Sequence, residues 1–305
     1  MDISLVIPLF NEEQLVEKLI SRILEALQPV TKQFEIIFVD DGSTDQTFDL
    51  LLRAREQEPR IKILQLSRKF GHQAALTAGL RHAKGNFTGI LDGDLQDPPE
   101  LIPEMYELLA SGKYDVVSGR RIITGIKTPV ERPNRWFHRI FSKISGIAGM
   151  ENTGHFSMMN RQALEALLQF KEAVRYLPGL RQQIGFRQGF IDYQRHPRDT
   201  GQSKMKKKEL LTLSTDAIFS FSKLPIRICL YLGLTGILIF FIAGIYSLIA
   251  KLAGFAIPGW SSTVLSIYFL GSIQLTFLGV LGEYIYRIYK ESQHRPIYFI
   301  RAFYD

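Results

Sequence analysis

Along the first 120 residues, short runs of β-branched and aromatic side chains alternate with longer stretches whose apolar positions recur every three to four residues. Residues 3–8, 35–39, 62–66, 87–91 and 115–118 read as strands, and 12–27, 44–57, 71–83 and 99–111 as helices. Strand–helix alternation of this kind predicts an α/β domain with a mainly parallel sheet flanked by helices on both faces. Ligands of such sheets sit beyond the carboxyl ends of the strands, so the residues just after each strand carry the chemistry.

The pattern changes after residue 225. Residues 229–250 and 261–282 are two runs of 22 residues without a charged side chain. Each would make a helix of roughly 33 Å, close to the hydrocarbon thickness of a bilayer. The alternative is a pair of buried core helices. The segment joining the two runs carries one basic residue, Lys251, whereas Lys223 and Arg227 precede the first run and Arg287, Lys290, Arg295 and Arg301 follow the second. That bias predicts a multi-pass membrane protein with a transmembrane hairpin over 228–290 and both termini, including a short tail over 291–305, on the cytoplasmic face. No secretory leader is expected, because Met1-Asp2 runs straight into a strand-like segment.

Composition narrows the classes. The 305 residues are 46% apolar, which excludes a disordered or fibrous chain, and the single cysteine, Cys229, excludes an internal disulfide framework. Thirty-seven Lys and Arg against thirty Asp and Glu leave a net charge of +7, suited to anionic partners such as nucleotide phosphates or acidic lipid.

Three loops concentrate carboxylates on one edge of the predicted sheet. They are Pro8-Leu9-Phe10-Asn11-Glu12-Glu13, Asp40-Asp41-Gly42-Ser43-Thr44-Asp45 and Asp92-Gly93-Asp94-Leu95-Gln96-Asp97. Glu12, Asp40, Asp41, Asp92 and Asp94 would repel one another there unless a cation or hydrogen-bond donors compensated them. A hard divalent cation, Mg²⁺ or Mn²⁺, held by one or two carboxylates and completed by substrate phosphate and water, meets that need. Taken singly, Asp-Gly-Ser-Thr-Asp is a turn in which Ser43 or Thr44 caps a helix. Its placement beside the other two loops is what a turn alone does not require.

These three segments resemble the signatures of family 2 glycosyltransferases with the GT-A fold, and more narrowly the polyprenyl-phosphate branch that includes bactoprenol glucosyltransferases, dolichol-phosphate mannose synthases and lipid-A aminoarabinose carrier enzymes. Ser67-Arg68-Lys69-Phe70-Gly71-His72-Gln73, Ser118-Gly119-Arg120-Arg121, Arg175-Tyr176-Leu177-Pro178-Gly179 and Arg198-Asp199-Thr200-Gly201-Gln202-Ser203-Lys204 extend the likeness. The resemblance implies that Pro8, Phe10 and Glu12 contact the nucleoside and that Asp41 contacts base or ribose. Tyrosine is frequent where this chain has Phe10. The resemblance further implies that Asp92 and Gly93 lie by the ribose and sugar, that Asp94 and Gln96 ligate the metal, and that Arg120, Arg198 and Lys204 meet phosphates. Asp92, Asp94 and Arg120 are the expected catalytic set. The family's Gly-Asp-Phe-Arg-Leu-Met pattern stands here as Gly154-His155-Phe156-Ser157-Met158-Met159, with histidine in place of the aspartate.

The implied reaction moves a hexose, first UDP-glucose among the donors, onto a polyprenyl phosphate with inversion at the anomeric carbon; GDP-mannose and UDP-aminoarabinose are alternative donors. The acceptor phosphate, with a second pKa near 6, arrives largely dianionic and needs no base. The catalytic domain is expected over 1–204, with 198–204 as a lid over the diphosphate. An interfacial helix over about 133–148 and an amphipathic segment over 205–227 would hold its active edge at headgroup depth. Rival readings are a processive polysaccharide synthase, which would need more spans, and a nonenzymatic nucleotide-sugar-binding membrane subunit, which would not need Asp94 and Gln96. Nucleic acid is disfavoured as a partner, and self-association of the narrow hairpin is expected.

Overall fold

The computed structural model of the protein describes residues 1–122, 153–172, 175–195, 224–253 and 259–305. The chain divides into two compact units, one holding the residues up to 195 together with 295–305, the other holding 224–253 and 259–294.

The first unit is built on an eight-stranded sheet. Its strands are β1 (Ile3–Leu9), β2 (Phe34–Asp40), β3 (Ile61–Leu66), β4 (Phe87–Ile90), β5 (Val116–Arg121), β6 (Thr153–Asn160), β7 (Gln188–Tyr193) and β8 (Ile300–Tyr304), in the order β7-β5-β6-β4-β1-β2-β3-β8. Strands β4, β1, β2 and β3 run parallel, as do β5 and β7. Strand β6 is antiparallel between β4 and β5, and β8 is antiparallel to β3. Every residue of β1 and β2 is buried, as befits central strands covered on both faces.

Helices α1 (Val16–Leu27), α2 (Thr47–Gln57) and α4 (Ile102–Ala110) cover one face, while α3 (His72–His82), α5 (Arg161–Gln169) and α6 (Leu177–Gln183) cover the other. In α1 the buried positions Val16, Leu19, Ile20, Ile23, Ala26 and Leu27 form one stripe at helical spacing, packed on Ile3, Leu5 and Ile7 of β1 within the same core. The α/β reading therefore holds, with β6 and β8 as the antiparallel members of a mostly parallel sheet.

Two details differ from expectation. Helix α2 starts at Thr47 rather than Thr44, because Asp45 Oδ1, not Ser43 or Thr44, accepts from the first free amide, Thr47 N, at 3.0 Å. Ser43 and Thr44 instead reach across to the first loop. Residues 300–304, expected only as part of a tail, form the sheet's outer strand β8. The interfacial helix over 133–148, most of the 205–227 segment and the lid over 198–204 lie outside the described residues.

The second unit contains α7 (Leu224–Leu252) and α8 (Trp260–Ser292), which enclose the two uncharged runs. Among the described residues, Ser266–Ser292 is long and apolar enough to cross a membrane by length and composition. Its apolar side chains are not core: Tyr268, Leu275, Leu278 and Ile288 are 64–74% exposed. A buried core helix would hide these positions, so the core-helix alternative does not describe this segment.

Candidate active site at the carboxyl edge of the parallel strands

Two loops at the ends of β1 and β2 are zipped together by side-chain to backbone hydrogen bonds. Asn11, at φ 54°, donates its N–H to Ser43 Oγ (3.0 Å) and accepts Thr44 N at Oδ1 (2.8 Å). Glu12 N donates to Thr47 Oγ1 (2.9 Å), and Glu13 Oε2 accepts Gln46 N (3.0 Å). Pro8 is buried inside β1 opposite Val39, so it shapes the strand end. Phe10 and Glu12 stand partly exposed at the edge, and the Lys69 ammonium lies 3.8 Å from the centre of the Phe10 ring.

Asp41 is 3% exposed, and its two carboxylate oxygens accept the backbone N–H groups of Phe70 (2.7 Å) and Gly71 (2.8 Å). Burial pushes its pKa up, against the opposing pull of those two donors and Lys69. Gly42, at φ +71°, keeps this junction close: a Cβ there would come within 2.7 Å of Arg68 C and 2.8 Å of Lys69 N. The loop after β3, residues 67–71, is thus fastened to the loop after β2 from both backbone and side chain.

After β4 the chain alternates. Leu91, Gly93, Leu95 and Asp97 are buried, whereas Asp92, Asp94 and Gln96 are partly exposed, which puts three oxygen-bearing side chains on the accessible face. Leu95 takes φ 56°, and Asp94 Oδ1 accepts Gln96 N at 3.2 Å, so Asp94 and Gln96 share one tight turn. Among the described residues no group of three or more His, Cys, Asp or Glu side chains is clustered to hold a metal unaided. Asp94 and Gln96 would supply hard oxygen ligands for part of a shell, the mode expected of Mg²⁺ or Mn²⁺ that keeps sites for phosphate and water.

Asp92 Oδ1 pairs with His72 Nε2 at 2.9 Å. Burial opposes the Asp92 charge, but the His72 hydrogen bond and the charges of His72 and Arg121 outweigh it and hold the carboxyl well below its usual range. His72, correspondingly, is raised by Asp92 despite desolvation. The His155 ring lies 4.7 Å from that of His72. Leu177 N donates to Gln73 Oε1 (3.2 Å), which leaves the Gln73 amide nitrogen to donate to His155 Nε2 (3.1 Å) and places the imidazole proton on Nδ1. Burial lowers the His155 pKa to about 3, so this side chain is neutral and a weak base where the aspartate pattern would have put a charge.

Arg120 and Arg121 point to opposite sides of β5. Arg120 forms a two-pronged pair with Asp192 (2.5 and 2.8 Å), 46% exposed, with its guanidinium 5.6 Å from the Phe190 ring. Arg121 turns inward: Nε donates to Tyr193 Oη (3.0 Å), Nη2 approaches Asp97 Oδ1 (3.4 Å), and Tyr193 Oη donates to the same Asp97 oxygen (2.5 Å). Gly154 leaves room for it, since a Cβ there would lie 2.7 Å from Arg121 Nη2. Burial raises the Asp97 pKa in spite of Arg121. Arg181, 3% exposed, bonds Gly154 O (3.1 Å), His155 O (3.3 Å) and Ser157 Oγ, and burial lowers its pKa to about 10.

The structure thus gathers Phe10, Glu12, Asp41, Asp92, Gly93, Asp94 and Gln96 on one sheet edge and sets Arg120 beside Asp192 instead. Arg198 and Lys204 lie outside the described residues. Sequence reasoning gave no role to Lys69, His72, Gln73, Asp97, Arg121, Arg181 or Tyr193. For Lys69 and His72 the signal was present, since they follow β3 just as the acidic loops follow β1, β2 and β4.

Known proteins bear on this arrangement. A profile described as "Glycosyl transferase family 2" matches residues 4–168. An uncharacterized glycosyltransferase of Synechocystis sp. is 39% identical over 98% of this chain and 95% of its own. The bactoprenol glucosyl transferase of Shigella phage SfV is 37% identical over 99% and 98%, and a prophage bactoprenol glucosyl transferase homolog of Escherichia coli is 35% identical over 99% of both chains. In fold, the chain is similar to glucosyl-3-phosphoglycerate synthase from Mycobacterium tuberculosis, solved with Mn²⁺, UDP and glucosyl-3-phosphoglycerate, at a TM-score of 0.52 and 19% identity over 72% of this chain and 77% of that one.

Proposed function

The chain belongs to glycosyl transferase family 2, and from that premise we propose that it is an inverting, metal-dependent hexosyltransferase that uses UDP-glucose and a polyprenyl phosphate acceptor at the cytoplasmic face of a membrane. One observation carries the acceptor: the likeness to proteins named bactoprenol glucosyl transferase runs over 99% of this chain, through the catalytic unit and both apolar helices alike.

In the reaction an acceptor phosphate oxygen bonds to the anomeric carbon as the bond from that carbon to the nucleotide diphosphate breaks. Asp94 and Gln96 would hold the divalent cation, whose chemistry there is neutralisation of the departing diphosphate. The Phe10 ring and the Lys69 ammonium form the floor beside which the nucleoside lies. Asp41 holds the 67–71 loop in place, while Asp92, kept ionised by His72, faces the sugar. Arg121 supplies fixed positive charge where two anions must approach. His155, neutral, takes no proton from the acceptor, consistent with a nucleophile that is already charged.

The sheet also constrains the topology. Strand β8 pairs with β3, so residues up to 195 and residues 295–305 share one side of any bilayer. If 266–292 crosses, an odd number of further crossings between 195 and 266 is required, and we propose α7, which encloses 22 uncharged residues, as the second. Gly259→Cys in a Cys229→Ser background is therefore expected to react with a membrane-impermeant maleimide from the face opposite to Lys32→Cys. Labelling of both from one face would remove the hairpin.

The activity is tested with membranes containing the protein, undecaprenyl phosphate, Mn²⁺ or Mg²⁺, and radiolabelled UDP-glucose, GDP-mannose or UDP-aminoarabinose. Label is expected in the organic extract with UDP-glucose. Label that stays in the aqueous phase with all three donors would remove the reading; label appearing as a polymer would favour the processive synthase.

A further inference from the structure

Residues 296–305 leave α8 and end as the outermost strand of the catalytic sheet, and the pairing does not stop where β3 stops. The register runs Ile63↔Tyr304, Leu64↔Phe303, Gln65↔Ala302 and, after a shift, Leu66↔Ile300. One residue farther, Ser67 N donates to Phe299 O at 2.9 Å, and the Phe299 ring packs against Phe70 with centroids 6.1 Å apart. The C-terminal segment therefore braces the 67–71 loop from its outer side.

That loop reaches three of the donor-site residues on its inner side. Lys69 covers Phe10, Phe70 N and Gly71 N hold the two oxygens of Asp41, and His72, the first residue of α3, holds Asp92. Within the loop Arg68 covers the Phe70 ring at 4.2 Å and donates to Lys69 O at 3.0 Å, but Gly71, at φ +100° with nothing within 4 Å of a Cβ there, leaves its end free to turn. A loop so placed, left unsupported, would have to lose backbone freedom each time a ligand bound.

We propose that the C-terminal segment is a splint for the donor site, and that Phe299 is its positioning residue, acting through Ser67 and Phe70 on Asp41. The splint rests on the donor reading of this edge given above. Its other end is fastened separately: the Asp305 carboxylate pairs with Lys62 and Lys84 (3.0 Å for Lys84), and its carbonyl oxygen accepts from Arg55 (2.5 Å). Phe303 packs on His82 (5.0 Å) and Tyr304 on Phe48 (5.9 Å). Strand anchorage and loop support thus lie at opposite ends of β8, and substitutions can separate them.

The test uses the full chain in lipid nanodiscs with UDP-glucose and Mn²⁺. Phe299→Ala is expected to speed hydrogen exchange at the Phe70 and Gly71 amides about tenfold and to raise the KM for UDP-glucose roughly five- to tenfold with kcat nearly constant. Phe299→Leu should restore most of both. Asp305→Asn should lower Tm while leaving those two amides and that KM as in the parent. Unchanged exchange in Phe299→Ala overturns the splint, as does faster exchange with an unaltered KM. If the parent protein neither binds nor uses UDP-glucose or GDP-mannose, the donor reading fails, and the exchange comparison then decides by itself whether Phe299 supports the loop.

Discussion

Asp94→Ala is expected to lower lipid-linked sugar formation by about a thousandfold or more while leaving membrane insertion and thermal stability intact. Several kcal/mol of transition-state stabilisation are at stake where a cation offsets the charge of a departing diphosphate, and about 1.4 kcal/mol is tenfold in rate. The carboxylate is partly exposed and shares its turn with Gln96 through one backbone hydrogen bond of 3.2 Å. It sits two residues from Asp92, so its removal relieves repulsion between like charges and should shift Tm by no more than about 2 °C. Two measurements check it: transfer of label into organic solvent, and Mn²⁺ binding followed by the paramagnetic resonance of the free ion in the presence of UDP. The variant should lose both. Full transfer by Asp94→Ala would remove the metal assignment, and lost transfer with undiminished Mn²⁺ binding would move the ligand elsewhere on the same loop.

The acidic loops were readable because two simple periodicities place them. Alternation of buried and accessible positions past β4 sends Asp92, Asp94 and Gln96 to one face, and the rule that ligands gather at the carboxyl ends of parallel strands brings them together with Phe10 and Asp41. Strands β1 to β4 and helices α1 to α4 were legible for the same reason, their apolar residues being spaced for burial on a sheet covered from both sides. The hydrogen-bond partners of Asp41 within the fold were not legible. Its partners are backbone N–H groups of Phe70 and Gly71, and every residue has such groups, so no side-chain pattern announces them.

The later strands were harder because their partners are remote. Strand β6 enters antiparallel between β4 and β5, and β8 joins β3 from more than 230 residues away along the chain. A five-residue run such as Ile300–Tyr304 has too little pattern to name its neighbour. A single-residue matter decided the arginines. In Arg120-Arg121 both side chains are equally suited to phosphate, and because successive strand residues point to opposite faces, a single residue decides which guanidinium meets Asp192 and which meets Tyr193 and Asp97. The resemblance implies Arg120 at phosphate; Arg121 is the guanidinium whose charge acts on Asp92, and we propose it as the second candidate.

Arg121→Ala is accordingly expected to cost about a hundredfold in transfer, and Arg120→Ala less than about threefold. The difference follows from where each guanidinium is held. Arg120 is 46% exposed and its pair with Asp192 is solvated, a class of interaction that contributes little. Arg121 is 26% exposed, anchored by Tyr193 and Asp97 in a position that acts on Asp92, and under the proposed reaction it would stabilise developing negative charge as a single fixed donor does, by about two to three powers of ten in rate. Loss of Arg121 also removes the nearer of two cations beside the buried Asp97, with Arg195 Nε remaining at 3.8 Å, and a destabilisation of about 1–3 kcal/mol is expected, so activity and folding must be told apart. Arg121→Lys does this: the charge beside Asp97 remains and Tm should stay within a few degrees of the parent, but the planar fork is lost, and transfer should still fall roughly tenfold or more. Initial rates of label transfer, set beside Tm for Arg120→Ala, Arg121→Ala and Arg121→Lys, decide the matter. Loss of transfer in Arg120→Ala together with full transfer in Arg121→Lys would return the phosphate contact to the outer arginine.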